Sequence, residues 1–100
     1  MLQNAQADRA VALLEALDAL RPGDIRTMLG LATAYLRIGA ANRALQTLAR
    51  TARNADRPPT CDLLRAQALA ALGRTIEARD AMETFLLRQS HRPPAHPTRE

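Results

Sequence analysis

The sequence predicts an all-α fold, a solenoid of antiparallel helix pairs in which five helices make two and a half repeats. Three observations carry this expectation. The 100 residues are 47% hydrophobic but only 2% aromatic, so the apolar content is mostly Ala and Leu, strong helix formers that pack through small side chains. β-branched residues are few, and no stretch alternates apolar with polar as a half-buried strand does. The third is a period. Gly39 and Gly73 stand 34 residues apart, as do Ala10, Ala44 and Ala78; Leu14, Leu48 and Met82; Ala32 and Ala66; and Tyr35 and Leu69. A fixed period of this length is the signature of stacked helical units.

Each element follows from local chemistry, and the spacing predicts helices over 5–20, 25–38, 41–55, 60–72 and 75–89. The first stops at Arg21-Pro22-Gly23, because proline lacks the amide donor and restricts the residue before it. Asp24 is placed to cap the second helix. That helix ends near Ile38, where Gly39 supplies the backbone freedom for a tight turn into the third. Ala44 then lets the two helices cross closely. Asp56, Pro58 and Pro59 are expected to end the third helix, and Gly73 repeats the turn of Gly39 before the fifth. Residues 1–90 form the repeat domain. Residues 91–100, with Pro93, Pro94 and Pro97, are expected to be a disordered tail.

Composition narrows the function classes. One hundred residues make a single domain at most, since a core of this size buries about two-thirds of the chain's surface. The formal net charge is +4, every basic residue is Arg, and the arginines are interleaved with acids, as on a solvated helical surface. Cys61 is the single cysteine, which excludes an internal disulfide and fits a reducing compartment. No apolar run approaches the roughly 20 residues of a membrane span, and a signal-type N-terminus is missing. The expectation is a soluble, cytoplasmic protein.

No catalytic constellation is visible, and neither an enzyme activity nor a cofactor is expected. His91 and His96 lie in the proline-rich tail, a poor setting for a preorganised base or metal ligand. Cys61 lies near a helix start, where a thiolate is stabilised, but without a placed His or Lys it reads as a small structural residue. Phosphate-binding glycine loops and paired acids are both missing. Arg43, Arg50, Arg53 and Arg57 are spaced to share one side of the third helix. Without interleaved aromatics for stacking they read as a solvated convex face, with nucleic-acid binding the minor alternative.

The run Met28, Leu31, Ala32, Tyr35, Gly39, Ala44, Leu48 resembles the tetratricopeptide consensus. Leu64, Ala66, Leu69, Gly73, Ala78 and Met82 resemble it less closely, because Asp62 and Arg65 fall where large apolar residues belong. Ala10, Leu14, Leu17 and Pro22 match only the second helix of a unit, so the first unit lacks its first helix. Ala10, Ala32, Tyr35, Gly39, Ala44, Ala66, Gly73 and Ala78 are therefore the repeat-defining positions. Repeat units bury their faces against one another, so the first helix is short of a partner. Its apolar residues form more than one stripe, and Val11, Leu13 and Leu17 are expected on an exposed face.

The resemblance implies that the first helix of each unit lines a concave groove. Carried onto this chain, the lining is Leu29, Thr33, Leu36 and Arg37 from one unit and Leu63, Gln67 and Ala70 from the next. This lining offers neither the Lys nor the Asn of the family's carboxylate-clamping members, which disfavours a charged C-terminal peptide. An amphipathic helix or apolar segment suits it better; the alternative is that Leu29 and Leu63 belong to the core.

Within the family, the chain looks like the small cytoplasmic chaperones of type III secretion, most of all the YscY type. The likeness runs through Arg9-Ala10-Val11, Leu13-Leu14-Glu15-Ala16-Leu17, Leu20-Arg21-Pro22, Arg65-Ala66-Gln67, Leu72-Gly73-Arg74 and Glu77-Ala78-Arg79. It implies a protein partner, a small secreted substrate or co-chaperone held as a heterodimer. A generic scaffold protein of the same repeat class is the alternative, and a nucleic-acid accessory protein a third reading.

Overall fold

The computed structural model describes residues 2–54 and 56–90, with side chains from Ala5 onward. The described residues form five helices and no strand: α1 (Leu2–Leu20), α2 (Ile25–Arg37), α3 (Ala41–Ala49), α4 (Thr60–Ala71) and α5 (Thr75–Ser90). Consecutive helices pack on one another, and α4 also rests on α2. The expected tail and its two histidines lie outside the described residues.

The 34-residue period reappears as a repeated backbone device. Ala40 N–H donates to Tyr35 O at 2.8 Å, and Gly39 N–H to Leu36 O at 3.2 Å. One period later Arg74 N–H donates to Leu69 O at 2.9 Å, and Gly73 N–H to Ala70 O at 3.0 Å. Both glycines are left-handed, with φ of +80° and +77°. These are two copies of the turn that satisfies the last carbonyls of a helix while reversing the chain. At the start of α2, Asp24 Oδ1 accepts from Arg26 N–H at 3.0 Å, which occupies one of the free amides of the first turn.

The core repeats as well. Leu31, Ala32 and Tyr35 of α2 are buried with Ala44 and Leu48 of α3, a cluster that takes in Val11, Cys61, Leu64 and Ala68. A second cluster joins Ala66 and Leu69 of α4 to Ala81, Ala78 and Met82 of α5. Ala44 has no exposed surface, consistent with a helix crossing that only a methyl group fits. Side chains add cross-links: Arg50 meets Asp18 through two hydrogen bonds of 2.8 Å each, tying α3 to α1.

Three expectations need correction. Helix α3 stops at Ala49, not Ala55. The amides of Arg50, Thr51 and Ala52 reach back only three residues, and the buried Thr51 hydroxyl donates to Leu48 O at 2.6 Å. These tighter bonds close the helix before any proline is reached. The prolines instead start the next helix: Pro59 is the N-cap of α4, where the missing amide costs nothing. Arg50, Arg53 and Arg57 therefore lie beyond the helix that was expected to align them with Arg43. Two of them are engaged, Arg50 with Asp18 and Arg57 with Asp62. Val11 is the third correction, for it is a core residue, 8% exposed.

Asp62 is the polar exception in this apolar interior, 4% exposed. Arg57 Nη2 stands 3.3 Å from its Oδ1, and Arg88 Nε 3.0 Å from its Oδ2. Arg88 also donates to the carbonyl of Arg57. A carboxylate stands where the repeat pattern wants an apolar side chain, and two guanidinium groups compensate its burial. Together they clasp the end of α5 to the loop before α4.

Candidate functional site

The main concavity lies between α1 and α2 and reaches α4. It is a cleft of about 820 Å³, lined by Gln6, Ala7, Ala10 and Leu14 of α1, by Leu29, Gly30, Thr33, Ala34 and Arg37 of α2, and by Thr60 and Leu64 of α4. The first two helices meet at Gly30 through the Leu14 side chain. A Cβ there would lie 3.3 Å from Leu14 Cδ1, so the Leu14 side chain occupies the space over the glycine. The lining is mixed: Ala10, Leu14 and Leu29 are half-buried and packed against the first core cluster. Polar character comes from Gln6, Thr33, Thr60 and Arg37, all exposed. The Thr33 hydroxyl is turned to its own helix, donating to Leu29 O at 2.9 Å. No carboxylate among the described residues pairs with Arg37.

The groove expected from the sequence is only partly a single site. Leu29, Thr33 and Arg37 line the cleft. Leu36 is half-buried and packs against the first core cluster, and Leu63 is half-buried on α4. Gln67 and Ala70 line a second, shallower depression of about 330 Å³, shared with Ala66, Thr75, Ala78, Arg79 and Met82. The lining residues that sequence reasoning missed are Gln6, Ala7, Ala10 and Leu14 of α1, Gly30 and Ala34 of α2, and Thr60 and Leu64 of α4. For Ala10 and Leu14 the signal lies in the repeat register, because they occupy the positions of Ala44 and Leu48, which α3 buries.

The outer surface of α1 carries the other apolar feature. Leu13 is 64% exposed, Leu17 43% and Leu20 78%, on the side turned away from Val11 and the core. On α5, Ile76 and Leu86 are also exposed. Such exposed apolar side chains cluster where another polypeptide binds.

Cys61 is buried within the core cluster, and no group of three His, Cys, Asp or Glu among the described residues is arranged to hold a metal ion. No helix among the described residues is long and apolar enough to cross a membrane. The strongest electrostatic effects sit at structural cross-links. The Arg50 guanidinium holds the Asp18 carboxyl below its ordinary value through their hydrogen bonds. Burial, together with the Glu15 carboxylate, pushes the Tyr35 phenol up to about 12.

No curated protein and no solved structure matches the chain. A family model does, the tetratricopeptide repeat, over residues 1–67. That span runs from α1 through α2 and α3 into α4, covering the first of the two glycine turns and the cleft's lining from Gln6 to Leu64. With the helix pairs, the repeated turn and the family match in agreement, the chain belongs to the tetratricopeptide repeat family, whose domains are protein-interaction modules.

Proposed function

We propose that this module is a cytoplasmic chaperone of the type III secretion kind, binding one small secreted partner and keeping it soluble and export-competent. The observation that carries the reading is apolar surface without an internal partner. Leu13 and Leu17 stand exposed on α1, next to a cleft floored by Ala and Leu side chains. A helix buried on one side only is stable when a second polypeptide covers the other. The YscY-type likeness of the α1 and α4–α5 segments supplies the class of partner.

A lining of Ala and Leu side chains beside Gln6, Thr33, Arg37 and Thr60 favours an amphipathic segment. Such a ligand binds by inserting spaced side chains into the groove. The test is co-expression with the products of neighbouring genes. A stable one-to-one complex with a small export substrate is expected. A chain that purifies as a well-folded monomer and captures none of those products sinks the secretion role. Capture of a protein unrelated to export would instead identify a general scaffold of the same repeat class.

A further inference from the structure

The α1 wall of the cleft has two counterparts within the same chain, on α3 and α5, and the α2 wall has one, on α4. On the α1 side stand Ala10 and Leu14. The equivalent residues of α3, Ala44 and Leu48, are covered by α2 and are 0% and 2% exposed. Those of α5, Ala78 and Met82, pack against α4. On the α2 side stand Gly30 and Ala34, whose counterparts in α4, Leu64 and Ala68, are buried in the cluster shared with α2. A helix laid antiparallel to α1 would meet the surface that α2 meets on α3, and would meet α2 as α2 meets α4. Both walls of the seat are repeat copies of walls that already hold a helix.

From this register we infer that the cleft is a seat for one amphipathic helix of a separate polypeptide, which completes the first repeat in trans. The inference rests on the protein-binding reading and deepens it, placing the ligand at Ala10, Leu14 and Gly30. The two resident helices define the ligand's chemistry. Helices α2 and α4 are 13 and 12 residues long, and α2 offers Met28, Leu31, Ala32 and Tyr35 to the core. The ligand therefore carries large apolar residues at i, i+3 and i+7 and a small one at i+4, all on one face. A carboxylate near its C-terminal end would meet Arg37, which lies at the C-terminal end of α2 on the cleft lip.

The backbone at the start of α1 differs from the joints that deliver α3 and α5. Gly39 and Gly73 make the turns that join α2 to α3 and α4 to α5. The residue at the same repeat position in the first unit is Ala5, and α1 is helical straight through it, from Leu2. Among the described residues no turn of the Gly39 kind stands at that position, so a helix in the seat would not be held by the joint that the other units use.

The probe is a fluorescent synthetic peptide with the sequence of residues 24–38, titrated by anisotropy against the full 100-residue chain. Saturable one-to-one binding is expected. Ala10→Arg and Thr33→Glu should each weaken it at least tenfold, whereas Gln67→Arg, in the second depression, leaves it unchanged. Thr33 is exposed, so its variant keeps the test valid if Ala10→Arg unfolds. Absence of saturable binding overturns the inference. So does loss of binding in Gln67→Arg with retention in Thr33→Glu, although the module would then still bind proteins at another face. A dimer that Thr33→Glu converts to monomer would place a second copy in the seat. A longer form of the chain whose own upstream residues fill the seat would place the helix in cis. Either result overturns the assignment to a separate partner. The wider reading fails only if co-expression also yields no complex.

Discussion

The phenolic hydroxyl of Tyr35 donates to Glu15 Oε2 at 2.6 Å, joining α2 to α1 along the edge of the main core. Tyr35 is the single tyrosine, and the chain has no tryptophan, so its ionisation is directly visible in the ultraviolet. Burial and the adjacent carboxylate raise its pKa to about 12, while the unfolded chain titrates at the ordinary value of about 10. Folding therefore retains the proton. The resulting stability is fully present below the unfolded value and is lost as pH rises through the folded one. A phenolate absorbance titration should show a midpoint well above that of the urea-unfolded chain. Tyr35→Phe should cost about 1 kcal/mol and flatten the fall in stability at alkaline pH.

At the α2–α3 crossing, Ala44 is wholly enclosed. Ala44→Leu forces the helices apart, and urea unfolding should show a loss of about 1–3 kcal/mol. An unchanged midpoint would mean that the two helices do not meet there.

Two glycines in one helical hairpin should respond in opposite senses. Gly39 has φ of +80°, a conformation that side chains disfavour. Gly39→Ala should cost about 1–2 kcal/mol although open space surrounds it. Gly30 lies inside α2, where alanine is the better helix former by up to about 1 kcal/mol. Its new methyl would press on Leu14, a half-buried residue with room to move into the cleft. Gly30→Ala should therefore raise the melting temperature slightly, and a clear fall would show that Leu14 is rigid.

Asp62 tests the clasp between α5 and the loop before α4. Removing a buried carboxylate leaves Arg57 and Arg88 without compensation, and Asp62→Ala should cost about 2–4 kcal/mol. Arg88→Ala should cost less, because Arg57 remains. Hydrogen exchange should show the last turn of α5 opening first in both variants.

What could be read from the sequence was the part governed by local rules. Gly39 and Gly73 signal their turns by identity alone, because few other residues take that backbone conformation. Ala44 marks its crossing because the period places it. The end of α3 was not legible, since Thr51 closes the helix through its own side chain while the more conspicuous prolines serve the next one. Nor was the burial of Asp62, which depends on Arg88 arriving from 26 positions further along the chain. Of the candidate groove, Leu29, Thr33 and Arg37 fall together in one cleft, because they recur along one face of a single helix. Leu63, Gln67 and Ala70 do not join them because helical spacing does not report how far α4 is displaced from α2, and Leu36 turns instead to the first core cluster.

The paired glycine turns make the chain divisible. Positions 40 and 74 follow the same hydrogen-bonded reversal, so the chain enters α3 and α5 from equivalent geometry. The 34 residues between those points begin and end in the same local state, like a link cut from a chain at matching joints. A copy of that link can be inserted, or the original removed, with each turn still finding the carbonyls it needs. Length in such a protein is a variable that the joints leave free, and a lineage can alter the reach of its binding surface without redesigning a single seam.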